Sequence, residues 1–183
     1  MLGLPVVVAL LTLPLCASSF VVFPKAGETV SPDGQFRVRN VERERPASEF
    51  IGTFQSLWLI EKASGRSRKL CDYVGVAAVG WAGNDFVLVT QYVSKKSSRI
   101  LIFSVTNEEE TFVLDQPTVV RMVPIEFRDA LRENDHVFIE ATSVEERRLR
   151  LRVWGYGKRD VNGFRWRCEY RLGESGVACS DGK

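Results

Sequence analysis

The chain has 183 residues, of which 45% are hydrophobic and 26% are charged. This length and balance are typical of one folded domain with a hydrophobic core, and they exclude a chain that is disordered throughout. The formal net charge of +2 is too small to indicate nucleic-acid binding, so we expect no nucleic-acid partner.

An apolar stretch at the start of the chain predicts a removable leader. Leu4 to Leu15 carries no charge, has the length of a signal-peptide core and is too short to span a bilayer. Ala17-Ser18-Ser19 supplies the small residues that a signal peptidase accepts. We therefore predict cleavage after Ser19 and a single β-repeat domain over residues 20–183, exported to the periplasm or secreted, with no transmembrane span. The alternative is a lipoprotein signal in which Cys16 is lipidated, although a bulky leucine precedes that cysteine.

Export implies an oxidising compartment in which disulfides form and persist. Without Cys16, three cysteines remain, so one thiol must stay free or pair between chains. Cys168 and Cys179 are placed symmetrically about residues 173–174, which puts them opposite each other across a tight hairpin. We predict a Cys168–Cys179 disulfide and a buried Cys71.

Alternating and continuous apolar segments predict β-strands along most of the chain after the leader. The predicted strands are Phe20–Phe23, Gln35–Glu44, Phe54–Lys62, Ser67–Tyr73, Val76–Trp81, Asp85–Val93, Arg99–Thr106, Thr111–Leu114, Val137–Thr142, Arg148–Tyr156, Phe164–Leu172 and Val177–Ser180. One helix is predicted, over Pro124–Asn134, because proline suits a first helical turn and Phe127, Ala130 and Leu131 share one face.

The segment from Val76 to Thr106 is predicted to lie at the centre of the fold. Two of its strands are apolar on both faces, at Phe86–Val89 and Ile100–Phe103, which is typical of strands buried on both sides. The tryptophans that we also expect in the core are Trp58, Trp81 and Trp166.

The strand pattern recurs along the chain, which indicates an internal repeat. The turn Ser31-Pro32-Asp33-Gly34 precedes a strand, and the hairpin LWLIEKASGRSRKL follows at residues 57–70. A second turn of this kind stands at residues 81–85, and a third, poorer copy begins at Ala141–Arg147. Each unit is predicted to be a four-stranded antiparallel meander.

These motifs resemble the β-propeller repeat of TolB-like and prolyl-oligopeptidase-type proteins. Blades of that family carry W-S-P-D-G turns and an LWxxDxxTGxxRxL hairpin, which residues 31–34 and 57–70 match well, whereas the turn at 81–85 lacks the proline. The resemblance covers roughly residues 30–106 and implies a blade-like fold. The layout is also similar to small exported bacterial proteins of unknown function with a late HVFIEA…LRLRVWGYGKRDVNGF segment, and that similarity implies no activity.

Chain length limits how many blades can form. A blade takes about 40–45 residues, and closed propellers have at least four blades. The leader, the helix and the loops also consume residues of this chain. We therefore predict an all-β fold of two or three antiparallel four-stranded meanders, propeller-blade-like and unclosed, with one short helix.

The last hairpin carries a row of arginines on one face. Leucine and valine alternate with arginine in the strand Arg148–Tyr156, and in the strand Phe164–Leu172 apolar residues alternate with Arg165, Arg167, Glu169 and Arg171. The candidate binding residues on the polar face are Arg148, Arg150, Arg152, Trp154, Tyr156, Arg165, Arg167 and Arg171. This pattern suggests an anion-binding strip for an acidic glycan, phosphate, lipid head group or partner protein, beside aromatic stacking surfaces.

The alternative interpretation of this face is a solvated sheet surface, neutralised by Glu140 and Glu145 on the neighbouring strand. If Gly157 and Phe164 flank the turn, the predicted register sets Arg152 opposite Glu169. It also sets Trp154 opposite Arg167 and Arg150 opposite Arg171, and like charges directly opposite each other are unfavourable.

No catalytic constellation is evident in the sequence. His136 is the single histidine, no cysteine stands at metal-ligand spacing from it, and no G-x-S-x-G motif occurs. We therefore expect a non-enzymatic domain without cofactor or metal that binds a protein or an anionic ligand. The alternative is a hydrolase with Asp135 or Glu140 in a pocket between sheets. It requires two or more acidic groups to converge with His136 in one concave site.

Overall fold

The structure is a computed structural model that describes residues 20–42 and 54–182. The predicted leader, including Cys16, lies outside the described residues. The last two residues of the strand predicted over Gln35–Glu44 also lie outside them. None of the described helices is long and apolar enough to cross a membrane.

The described part of the chain forms thirteen strands and two short helices. The strands are β1 (Val21–Phe23), β2 (Glu28–Val30), β3 (Phe36–Glu42), β4 (Phe54–Glu61), β5 (Ser67–Val74), β6 (Ala77–Ala82), β7 (Phe86–Ser94), β8 (Ser97–Ser104), β9 (Thr111–Leu114), β10 (His136–Glu145), β11 (Arg148–Tyr156), β12 (Phe164–Arg171) and β13 (Val177–Asp181). The helices are α1 (Gln116–Met122) and α2 (Ile125–Glu133). Every predicted strand is present, and β2 is a strand that the sequence pattern does not predict.

Three four-stranded antiparallel meanders follow one another along the chain, and we call β2–β5, β6–β9 and β10–β13 the first, second and third meander. The first meander is a separate sheet, whereas the second and third share a nine-stranded sheet in which β1 pairs with β6. These two meanders join where β10 starts parallel to β8, with Val137 beside Ser97. The all-β prediction with antiparallel four-stranded meanders is confirmed, and the described strands do not close into a ring.

The second meander separates two hydrophobic cores because successive side chains of a strand point to opposite faces. Its residues Val87, Val89 and Leu101 pack with the first meander and form the first core. Leu88 and Ile100 point the other way and pack with the two helices and the third meander, which form the second core. The structure confirms that the segment from Val76 to Thr106 lies at the centre.

Two helices stand where the sequence predicts one. The predicted helix is α2, which lies between Pro124 and Asn134 as its caps. The additional helix, α1, begins at Asp115, whose carboxylate accepts a hydrogen bond of 2.9 Å from the Thr118 N–H. Both helices contribute to the second core, so they fill the space between the second and third meanders.

The first hairpin turn of each meander contains one residue with left-handed backbone geometry. These residues are Gly34 (φ 71°), Gly83 (φ 60°) and Glu146 (φ 53°). The first two turns also contact each other, because the Asn84 side-chain oxygen accepts a hydrogen bond of 3.1 Å from the Asp33 N–H. Hydrogen bonds from Ser31 and the Gln35 N–H lower the pKa of Asp33. The three turns are therefore equivalent positions in successive meanders.

The cysteine prediction is confirmed for the disulfide and corrected for the free thiol. Cys168 and Cys179 are cross-strand neighbours in β12 and β13 and form a disulfide, with their Cα atoms 4.1 Å apart. Cys71 is free, but it is half-buried rather than buried, because it lies at the margin of the first core. This burial raises the pKa of its thiol to about 12, so it is protonated at neutral pH.

Two of the three tryptophans predicted in the core are buried. Trp81 and Trp166 are 4% and 5% exposed. Trp58 is half-buried, which corrects the prediction. It alternates with the core residues Leu57 and Leu59 along β4 and therefore lies on the opposite face of the first meander.

Candidate functional site

The third meander turns a row of arginines away from the second core. Leucine and valine of β11 point inward and alternate with exposed arginines, as period-two alternation requires. All predicted binding residues of the last hairpin therefore share one face, which we call the arginine face. Its members are Arg148, Arg150, Arg152, Trp154, Tyr156, Arg165, Arg167 and Arg171.

The pairing of β11 with β12 differs from the predicted register by two residues. Gly155, and not Gly157, lies opposite Phe164, because the Gly157 N–H turns away to the Asp160 carbonyl. The predicted pairs of Arg152 with Glu169, Trp154 with Arg167 and Arg150 with Arg171 are wrong. The observed cross-strand pairs are Arg148 with Arg171, Arg150 with Glu169, Arg152 with Arg167 and Trp154 with Arg165.

Four of the six arginines of this face are paired with acidic side chains. The pairs are Arg148 with Glu169 (3.2 Å), Arg150 with Glu145 (3.4 Å), Arg152 with Glu140 (2.8 Å from Nε) and Arg171 with Glu174 (3.3 Å). Arg165 and Arg167 form no ion pair with any described residue. Glu140 and Glu145, the residues of the neutralised-surface interpretation, thus account for two arginines, Glu169 and Glu174 account for two more, and two neighbouring arginines have no counter-charge among the described residues.

The position of β12 explains why these two guanidinium groups are unpaired. The acidic residues Glu140 and Glu145 lie on β10, which flanks β11, and they pair with Arg152 and Arg150 of β11. On the other side, β12 is flanked by β13, whose outward residues are small. Arg165 and Arg167 thus line an open depression of about 1010 Å³, where Ser180 and Gly182 also lie.

Glu140 is the best-buried acidic group of this face, being 6% exposed. Its Oε2 atom accepts a hydrogen bond of 2.8 Å from Arg152 Nε, and its Oε1 atom accepts one of 2.6 Å from the Tyr92 hydroxyl. Burial raises the pKa of Tyr92 to about 12, and the hydrogen bond to Glu140 adds to this rise. Arg152 is therefore engaged in a fixed pair and is less available to a ligand than Arg165 or Arg167.

We predict unequal effects of removing the two partners of this ion pair. The Arg152→Ala change leaves the Glu140 carboxylate buried without its cation, so it should lower the free energy of unfolding by about 2 kcal/mol. The Glu140→Ala change leaves a half-exposed guanidinium that water can solvate, so the loss should be about 1 kcal/mol. Urea unfolding measures both values.

The matched control for this pair is Arg148→Ala, because the Arg148 partner, Glu169, is 47% exposed in its side chain. Exposed pairs contribute little, so the control should change the free energy of unfolding by less than about 0.5 kcal/mol. A loss at Arg152→Ala no larger than at Arg148→Ala would contradict the structural role of Glu140.

The aromatic residues of the arginine face are already stacked on neighbours in β10. Tyr156 stacks on His136 with ring centroids 4.3 Å apart, and Trp154 stacks on Phe138 at 4.2 Å. One ring face of each residue is therefore covered within the sheet. Tyr156 is nevertheless 42% exposed, and the expectation that the two rings offer stacking surface beside the arginines stays a prediction.

The residues of the hydrolase alternative are not brought together. His136 and Glu140 lie four residues apart on one face of β10, a separation of about 13 Å for an extended strand. Asp135 is exposed before the strand begins, and Glu140 is held by Arg152. His136 Nδ1 is buried and has no hydrogen-bond partner. Among the described residues, no three histidine, cysteine or acidic side chains are grouped to hold a metal ion.

Gly155 is a structural residue of β11 on the core side, opposite the arginine face, and the sequence pattern does not reveal its role. A Cβ atom at this position would lie 2.2 Å from the His136 carbonyl oxygen and 2.8 Å from the Phe164 ring. Glycine thus allows β10, β11 and β12 to pack closely beneath the aromatic pairs. Sequence reasoning also did not identify the small residues of β13 as part of this site. Their alternation in the segment ACSDG at residues 178–182 is the signal that could have indicated them.

A scan against protein-family models, a search of curated proteins and a search of solved structures each found no match to this chain. No function can therefore be transferred to it from a relative found in these comparisons. The unpaired arginines beside the depression are the feature from which a function can be inferred.

Proposed function

We propose that this chain is an exported, non-enzymatic β-repeat domain that binds an anionic partner through the arginine face. The observation that carries the proposal is the pair Arg165 and Arg167, which lie beside an open depression and have no acidic partner in the part of the chain that the structure describes. Arg167 also lies directly opposite Arg152, whose charge is offset by Glu140. A bound anion would offset the charges of Arg165 and Arg167 themselves.

The chemistry of these two side chains favours carboxylate, phosphate or sulfate groups. A guanidinium group is planar, permanently charged and able to donate two parallel hydrogen bonds to such an anion. Arg165 and Arg167 are alternate residues of one strand, so their Cα atoms lie about 6.8 Å apart. This spacing suits a ligand that carries at least two negative groups.

Two further observations support the export and repeat parts of the proposal. The Cys168–Cys179 disulfide agrees with export, because disulfides persist in oxidising compartments and are rare in the cytosol. The equivalent turns of the three meanders agree with successive propeller-type blades, as the sequence resemblance implies. In an unclosed stack the outer face of the last meander is left uncovered, which accounts for the exposure of the arginine face.

We predict that the double variant Arg165→Ser/Arg167→Ser elutes from a dextran sulfate column at lower salt than the unaltered protein. Its affinity for soluble dextran sulfate should fall about tenfold, equivalent to roughly 1.4 kcal/mol, because two unpaired cations are lost. Salt-gradient elution and calorimetric titration at low ionic strength provide the measurement.

The matched control is Arg148→Ser/Arg171→Ser, which removes the same charge from the same face. Both of these arginines are ion-paired, so this variant should elute close to the unaltered protein. Equal elution of the two double variants would show that only net charge matters, and it would overturn the assignment of the site to Arg165 and Arg167.

A further inference from the structure

We infer that the free edge of β13 accepts an extended acidic segment of a partner protein as an added β-strand, whose carboxylates bind Arg165 and Arg167. The inference rests on the proposed function and names the partner as a polypeptide. It combines three features of the described residues, namely a strand edge without a partner strand, small side chains on that edge strand, and two guanidinium groups whose spacing matches that of side chains on an added strand.

The first feature is the edge itself. β13 ends the strand order of the nine-stranded sheet, and among residues 20–42 and 54–182 it pairs with β12 alone. The Gly182 N–H donates to the Arg165 carbonyl at 2.9 Å, and the Cα separation of 4.1 Å between Cys168 and Cys179 is that of a non-hydrogen-bonded pair. Alternate backbone groups therefore point away from β12. The residues with outward-pointing N–H and C=O groups are Val177, Cys179 and Asp181.

The second feature is the small size of the β13 side chains on the arginine face. Ala178 and Ser180 are its outward side chains there, beside Glu169 and Arg167, and Gly182 follows next to Arg165. A strand added to this edge would lie about 9.6 Å from β12, which is two strand spacings. An arginine and a glutamate side chain extended toward each other across the small residues can span that distance.

The third feature is the match in spacing. Side chains on one face of an added strand repeat about every 6.8 Å, which is also the spacing of Arg165 and Arg167. Acidic residues at alternate positions of the segment would thus meet one guanidinium group each. The disulfide holds β13 against β12 before binding, which lowers the ordering cost of strand addition. A glycan or lipid head group would use the arginines but not the backbone edge.

The experiment uses a capped synthetic peptide of about eight residues in which glutamate alternates with threonine. Fluorescence anisotropy with the complete mature protein should show saturable binding that Arg165→Ser/Arg167→Ser weakens about tenfold. The same peptide N-methylated on the amides that would face β13 keeps its charge but cannot donate to the edge, so it should bind at least about tenfold more weakly. A lysine–threonine peptide should not bind.

A protein variant tests the edge independently of the peptide. Asp181→Pro removes an outward N–H while the pairing of β13 with β12 is kept, since proline is tolerated at a strand edge. Peptide binding should fall about tenfold, whereas dextran sulfate binding should persist. Asp181→Asn controls for the lost charge and should keep both activities.

The outcomes separate this inference from the proposed function. Equal binding of the N-methylated and unmodified peptides, or no binding of either beside intact dextran sulfate binding, overturns strand addition and leaves the anion-binding face. Dextran sulfate binding that does not depend on Arg165 and Arg167 overturns both. If Asp181→Pro fails to fold by circular dichroism, the comparison of the two peptides decides.

Discussion

Replacing Leu88 with alanine is expected to lower the free energy of unfolding by about 3 kcal/mol, the largest effect of any single change considered for this chain. Leu88 lies in β7 with no exposed surface, and it packs in the second core between the central meander and the helices. Neighbouring strands cannot collapse into the space because hydrogen bonds hold β7 on both sides. Urea unfolding followed by tryptophan fluorescence measures the loss.

The control for Leu88 is Val93→Ala in the same strand, where the side chain is 55% exposed. This change should alter the free energy of unfolding by no more than about 0.5 kcal/mol. Val87→Ala provides a second test, because Val87 is fully buried in the first core on the opposite face of β7. If β7 is buried between the two cores, both Leu88→Ala and Val87→Ala must lower the free energy of unfolding. A loss below about 1 kcal/mol for Leu88→Ala contradicts this placement.

The central position of the second meander could be predicted because a strand buried on both faces leaves a distinctive pattern. Phe86–Val89 and Ile100–Phe103 contain no polar residue, and only a strand with a core on each side tolerates such a run. β11, which has a core on one face only, shows the complementary pattern, in which Arg148, Arg150 and Arg152 alternate with buried leucine and valine. Both patterns arise from the same period of two, so local sequence identifies strands and their buried faces.

Elements without a hydrophobic period could not be predicted in the same way. β2 is three residues long, Glu28–Val30, and it exposes two of them, so it has no apolar face to recognise. α1 lacks a long amphipathic pattern, although Asp115 with a proline two residues later is a helix start signal that could have indicated it. The parallel contact of Val137 with Ser97 joins segments distant in the chain, and local patterning carries no information about it.

In the candidate site, too, the sequence predicts which face a side chain lies on but not which residue lies opposite it on the next strand. The period of two assigns all six arginines to one face, and a register error of two residues leaves that assignment unchanged. The same error replaces every cross-strand partner, so the sequence alone could not show which arginines are neutralised. Which arginines are neutralised depends on the turn after Tyr156, because this turn sets the register of β11 and β12. It also depends on the small residues of β13, beside which Arg165 and Arg167 line the depression.

Loss of the Cys168–Cys179 disulfide is expected to lower the free energy of unfolding by about 2–3 kcal/mol, because the bridge restricts a loop of 11 residues in the unfolded chain. Oxidised and reduced forms of the same protein give the cleanest comparison, since no side-chain volume changes. Urea unfolding with and without a thiol reductant measures the difference. The control is Cys71→Ser, which leaves the disulfide intact and should retain the full difference between the two forms.

The same reduction should affect the two proposed binding modes differently. Arg165 and Arg167 lie on β12, which β11 continues to hold after the bridge is cut, so dextran sulfate binding should persist. Among the described strands β13 pairs only with β12, and without the disulfide its edge should fray, so affinity for the alternating acidic peptide should fall about fivefold. Peptide binding that is unchanged by reduction would show that a preordered β13 edge is not needed. Unchanged stability on reduction would contradict the role of the disulfide itself.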